Sequence, residues 1–231
     1  MSFKVICFGD CLYSKVVLEG IIPMRMIDMF MMKKFSLLMM IGLLAMITAC
    51  KQTKDSVVEP TRQFGIFRVQ SDDTTIEMNG EITSNSLNNF NRLLAAYPKV
   101  NLINIKECGG SLDDDTNLQL SALVHQKQLN IHLLDNGMIA SGGTDFFLAG
   151  IKRTRGTTTR IGVHSWSAGT QEATDFPRGH VEHQKYINYY VSIGFTQQQA
   201  EDFYYFTINA ASAANIHWMT DAEITQYGIL K

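Results

Sequence analysis

The sequence predicts an α/β domain with a mostly parallel sheet and helices appended at its C-terminal end. Between about residue 64 and residue 166, short apolar runs of strand character alternate with segments of helical period. The repeated order strand, helix, strand demands crossover connections, which join parallel neighbours. The composition agrees with this. The 231 residues are 45% hydrophobic with a net charge of −2, values of a globular domain and not of a disordered or fibrous chain.

In chain order, "FGIFRVQ" and "TTIEMNGEI" read as two strands around a polar "SDD" turn. "SNSLNNFNRLLAAYP" places Leu87, Phe90, Leu93 and Leu94 on one helical face, and Pro98 stops it. "VNLINI" is the next strand, and "GGSLDDDTNLQLSALVHQKQ" is a glycine turn opening into a helix. "NIHLLDNG" is a strand, "GGTDFFLAG" a helix and "TRIGVHSW" a strand, with the basic "KRTRGTTTR" read as a solvated turn. Beyond them "VEHQKYINYYVSIG" and "TQQQAEDFYYFTINAASA" are both amphipathic, and Thr196 with Gln199 forms a capping-box pattern for the second. Their aromatic residues recur at helical spacing and read as packing residues.

The N-terminal part does not belong to this domain. From Met32 the chain reads "MKKFSLLMMIGLLAMITACKQ": two lysines, an apolar run from Phe35 to Met46, then Ile47-Thr48-Ala49-Cys50. This is the layout of a secretory signal, with a run too short to span a bilayer comfortably. Its end resembles a bacterial lipobox, in which the cysteine is lipidated and becomes the first residue of the mature chain. Residues 32–49 are thus expected to be a signal peptide and residues 1–31 an over-extended reading frame, with translation starting near Met29, Met31 or Met32.

Residues 50–63, polar and containing Pro60, read as a flexible tether, and residues 64–231 as the domain. Residues 1–49 carry five of the 20 Lys and Arg and three of the 22 Asp and Glu, which leaves a mature charge of −4. A mildly acidic chain argues against a nucleic-acid partner. The expected location is the bacterial cell envelope, with the protein lipid-anchored at the membrane. Lys51 after the cysteine resembles an outer-membrane sorting signal, which gives the periplasmic face.

Three short stretches close successive strands: Gly109-Gly110, Ser141 and His164. Strand ends of one sheet are where an α/β fold collects functional groups. The order of the motifs, a Gly-Gly turn, "ASGG" opening a helix, then "GVH", with "WMTDAEITQYGIL" at the end, resembles the Clp protease and crotonase superfamily, and within it the ClpP-like serine peptidase branch. The resemblance runs from about Glu81 to Leu230.

It implies a Clp protease/crotonase-like fold of stacked βαβ units, with Ser141 as nucleophile and His164 as general base. Backbone N–H groups of Gly110 and Gly142 would form the oxyanion hole. Such chemistry needs no cofactor and no metal. It implies a peptide or small ester substrate, a membrane partner through the N-terminal lipid, and a homo-oligomer.

The third triad member departs from the family pattern. Counting back from Tyr227-Gly228 reaches Asn215 or Ile216, where the family carries an aspartate. Asn215 is the expected substitute, with Asp221 and Asp175 as alternatives. That replacement favours a rival reading, a catalytically inactive binding or scaffold lipoprotein. A third reading, crotonase-like thioester chemistry, is disfavoured because an envelope protein meets no coenzyme A pool.

Other residues read more simply. Asp113, Asp114 and Asp115 at a helix start are expected to cap it. Cys108 reads as a small buried residue. His180 and His183 read as part of a solvated helix start, since the peptidase "HExxH" pattern is absent.

Overall fold

The computed structural model describes residues 61–231, all within one compact unit, Val58–Lys231. The expected signal peptide, the upstream extension and Cys50 lie outside the described residues. Strands β1 (Gln63–Phe64), β2 (Phe67–Val69) and β3 (Thr75–Asn79) form an antiparallel edge. Helix α1 (Ser86–Ala96) crosses to β4 (Leu102–Cys108), and α2 (Asp114–Gln126) to β5 (Asn130–Ala140). Next come α3 (Gly142–Leu148), β6 (Arg153–Arg155) and β7 (Arg160–Val163). A hairpin of β8 (Ser167–Ala168) and β9 (Gln171–Glu172) precedes α4 (Val181–Ser192), α5 (Gln197–Ala210), β10 (His217–Trp218) and α6 (Asp221–Gln226).

The sheet order is β1-β2-β3-β4-β5-β7-β10, with β6 also on β5. It is parallel from β3 through β7 and antiparallel at both edges. The mostly parallel sheet with two C-terminal helices is the architecture predicted above.

β5 organises the sheet. Its first half pairs with β6 and its second half with β7, and between Leu133 and Met138 it gains three residues relative to β4. An insertion of this kind bends a strand and re-aims the residues beyond it. Asp135 holds the bend, accepting from Thr157 N at 2.7 Å, and Asn136 there has φ 60°. The bend carries Ala140 and Ser141 onto β7.

The core lies between the sheet and the helices. Phe67 and Phe90 meet edge to face at 5.0 Å, and Ile103, Ile105, Leu133 and Phe147 are fully enclosed. Burying each such side chain contributes about 1.5–3 kcal/mol. Arg153 is also buried. Its guanidinium donates to the carbonyls of Leu148, Gly150, Gly228 and Ile229, locking the C-terminal segment onto β6.

Four features differ from the sequence reading. Gln63, assigned to the tether, pairs with Arg68, and Arg62 bonds Asp73 at 2.7 Å, so the fold begins at least two residues earlier. "KRTRGTTTR" contains β6, whose pairing is supplied by the first half of β5. The segment "TDAEITQ" is a helix with a complete capping box from Thr220 and Glu223. His183 is fully buried and not part of a solvated helix start, because Tyr204 and the Phe176 and Pro177 carbonyls satisfy its ring.

Candidate active site

The register of the parallel strands brings the three motifs together. Cys108 lies opposite Ile139, and Ala140 opposite Gly162. Two residues past Cys108, one past Ala140 and two past Gly162 are Gly110, Ser141 and His164. They therefore leave one end of the sheet on adjacent strands.

Ser141 sits on a sharp strand-to-helix turn with φ 53° and ψ −131°. Such a backbone is costly for any residue with a Cβ, on the order of 1–3 kcal/mol, and survives only where its surroundings enforce it. Here Ser141 N donates to Gly162 O at 3.1 Å, Thr144 N donates back to Ser141 O at 2.8 Å, and Thr144 Oγ1 also donates to Gly162 O. Asn117, buried on α2, donates to Gly142 O at 2.9 Å. Ser141 is the N-cap of α3, yet its hydroxyl makes no capping bond. The hydroxyl is left facing a cavity that His164 also lines.

Glycine is required on both sides of the serine. A Cβ on Gly110, at φ 154°, would lie 3.3 Å from Ser141 Cβ and 3.6 Å from Ser141 Oγ. A Cβ on Gly142 would collide with Ser111 Oγ and Asn117 Nδ2. Among the described residues, the N–H groups of Gly110 and Gly142 donate to no acceptor. Unpaired donors beside a nucleophile are what an oxyanion hole requires.

Cys108 packs directly beneath. Its buried thiol lies 3.6 Å from Gly110 O, and burial pushes its pKa up to about 12, so it is a packing group and not a thiolate.

His164 is half-buried at the end of β7. Its Nδ1 is enclosed and has no hydrogen-bond partner among the described residues, and no hydrogen bond joins it to Ser141. Asn215 does not reach it. Because β10 runs antiparallel with His217 opposite Val163, Asn215 does emerge at the same end of the sheet. It belongs there to a small exposed turn, with its N donating to Ser212 O and its Nδ2 to Ser212 Oγ, both at 3.0 Å. Asp221 is exposed and paired with Arg155 at 2.6 Å, and Asp175 accepts from Glu172 N. None of the three lines the cavity.

The cavity holds two carboxylates outside the expected site. Asp145, on α3 four residues after the serine, accepts from Tyr190 OH at 2.6 Å, while its carbonyl accepts from Tyr189 OH. Burial pushes its pKa up to about 7, and the nearby Asp114 adds to the effect. Asp114 accepts from Tyr186 OH at 2.6 Å and from Ser111 Oγ at 2.5 Å.

The acidic run at the start of α2 thus divides its work. Asp113 caps the helix by accepting from Thr116 N, and Asp115 pairs with Lys185, but Asp114 turns inward. The sequence signal for Asp145 was a single carboxylate inside the apolar run "GGTDFFLAG".

Behind His164, Tyr204 OH bridges Trp166 Nε1 at 2.9 Å and His183 Nδ1 at 2.7 Å. The His183 Nε2 faces two carbonyls and must donate, so its Nδ1 accepts from Tyr204. Tyr186 stacks between Trp166 and Tyr204, at 6.3 and 5.6 Å. The aromatic residues of α4 and α5 therefore form the cavity wall as well as the core.

No protein-family model matches the chain, and no curated protein matches it. Among solved structures, the ClpP protease catalytic domain from Plasmodium falciparum is similar with a TM-score of 0.47 and 17% identity, over 69% of this chain and 83% of that one. ClpP1 from Listeria monocytogenes gives 0.44 and 19%, over 69% and 89%. A 1510-N membrane protease specific for a stomatin homolog, from Pyrococcus horikoshii, gives 0.44 and 16%, over 68% and 70%.

Proposed function

We propose that the protein is a serine hydrolase of peptidase type, held at the bacterial cell envelope by lipid on Cys50. The observation that carries this reading is the strained turn at Ser141, which leaves a free hydroxyl between two unpaired glycine N–H groups, on a cavity shared with His164. Strain at a residue that could have been glycine is expected where the side chain does the chemistry.

Ser141 Oγ attacks the substrate carbonyl while its proton passes to His164 Nε2, the ring nitrogen that is not enclosed. The Gly110 and Gly142 N–H groups receive the oxyanion. His164 then protonates the leaving group, and water, deprotonated by the same imidazole, releases the acyl group. The Ser141 to His164 hydrogen bond forms in the substrate complex, since such bonds are often long in unliganded sites. The lipid anchor is supported by the sequence "MKKFSLLMMIGLLAMITAC". Among the described residues no helix is long and apolar enough to cross a membrane.

The unpartnered Nδ1 of His164 favours the rival reading, a binding or scaffold lipoprotein without activity. Labelling with a fluorophosphonate probe separates the two. The hydrolase reading expects the native protein to be labelled, Ser141→Ala not at all, and His164→Ala at least about a hundredfold more slowly. Folded native protein that resists labelling, or label that persists in Ser141→Ala, supports the scaffold. Metabolic labelling with palmitate, lost in Cys50→Ala, tests the anchor.

A further inference from the structure

We propose that the cavity beside Ser141 is a specificity pocket for a primary ammonium group, the end of a lysine side chain, and that Asp145 is the residue that recognises it. This rests on the acyl-transfer reading above and names the class of substrate: peptides or esters with lysine on the acyl side of the bond that is cut.

Away from the Gly142 N–H and the His164 ring, the wall of the cavity has spent its donors. Five hydroxyls line it besides Ser141, and each already has an acceptor: Thr144 in Gly162 O, Tyr186 in Asp114, Tyr190 in Asp145, Thr207 in Tyr204 O, and Tyr204 in His183. No lysine or arginine lines the cavity. The nearest candidate, Lys185, is engaged with Asp115 instead of Asp114. Asp145 Oδ1 receives Tyr190, and Asp145 Oδ2 receives nothing from the described residues.

The part of the cavity around Asp114 and Asp145 therefore offers acceptors and two acidic groups to an occupant, and a desolvated carboxylate without a counter-charge is costly until a donor arrives. An occupant must bring its own N–H groups and, to match two carboxylates, positive charge.

Size selects among cations. The cavity is about 40 Å³, room for the compact end of a side chain and not for a broad one. An ammonium is a compact point charge with three donors, whereas a guanidinium is a broad planar fork. The apolar side chains of Val163 and Ile208, which also line the cavity, suit the methylene stem of lysine. Asp145 lies one helical turn after Ser141, so a side chain attached next to the reacting carbonyl can reach it.

The experiment compares inactivation by aminoalkyl diphenyl phosphonates that differ only in side chain. The lysyl probe is expected to react at least about tenfold faster than the isosteric norleucyl probe, with the arginyl probe between them. In Asp145→Asn the lysyl to norleucyl ratio falls toward one, while fluorophosphonate labelling of the same variant reports whether Ser141 is still reactive. A norleucyl probe that matches or outpaces the lysyl probe on the native protein overturns the proposal, and this result does not depend on any variant folding.

If fluorophosphonate labels nothing, the hydrolase reading has failed and the pocket is tested by binding alone. Saturable shifts of the Gly142 and Asp145 amide resonances with n-butylammonium, absent with n-pentanol and lost in Asp145→Asn, uphold the pocket. No shift overturns it.

Discussion

Ser141 and His164 leave the ends of neighbouring strands, yet the structure surrounds them differently. Ser141 is held from four directions, by Gly162, Thr144, Asn117 through Gly142, and the Gly110 loop, and its strained backbone persists because all of these agree. His164 has a wall of aromatic residues but an Nδ1 that meets no acceptor among the described residues. The difference lies in what each proposed role demands. A nucleophile turn is made of backbone, which strand register and glycines can impose. Orienting an imidazole takes one acceptor atom at one point, and a change at a single position removes it.

The largest expected effect is on the serine side and depends on pH. Asp145 is raised from about 4 to about 7, so its charged form is disfavoured in the folded state. Stability is therefore full below about pH 4 and is lost as pH rises toward 7, by roughly 4 kcal/mol at most. Asp145→Asn removes this dependence. Denaturant melts should show the variant gaining on the native protein as pH rises from about 4 to about 8, and parallel curves would mean that the carboxylate is not desolvated.

Gly142→Ala should cost about 1–3 kcal/mol and displace the serine, since the new methyl collides with Ser111 and Asn117. Urea midpoints and probe labelling should both fall, and an unaffected variant would show that the turn is not tightly held. Ser141→Gly should instead stabilise the fold by about 1 kcal/mol while abolishing labelling, because it relieves the positive φ. A loss of stability there would place the serine in a structural role.

The smallest effect is expected across the site. Asn215→Ala should change stability by less than about 0.5 kcal/mol and leave labelling within about twofold, because Asn215 bonds only its own turn. A tenfold drop would restore Asn215 as the partner of His164.

How much of this was legible in the sequence depends on the range of each interaction. Helix α5 was readable because Thr196 and Gln199 cap it locally, and the same signal at Thr220 and Glu223 was available for α6. β6, β8, β9 and β10 were missed because strands of two or three residues have little pattern of their own and exist through their partners. The Asn215 assignment rested on counting along the chain. The count reached the right end of the sheet, but a turn closed on Ser212 aims the side chain at its own neighbours.

By itself the sequence determined the alternation of strands and helices, the order of the three motifs and the positions of the glycines, since periodicity and backbone freedom are properties of neighbouring residues. Only the tertiary structure decided that Asp114 and Asp145, far apart in the chain, share a cavity, that every hydroxyl in its wall except that of Ser141 is already committed, and that His164 Nδ1 meets no acceptor among the described residues. Those are facts about which atoms meet, and here they meet because the bend in β5 and the packing of α4 and α5 bring distant residues to one place.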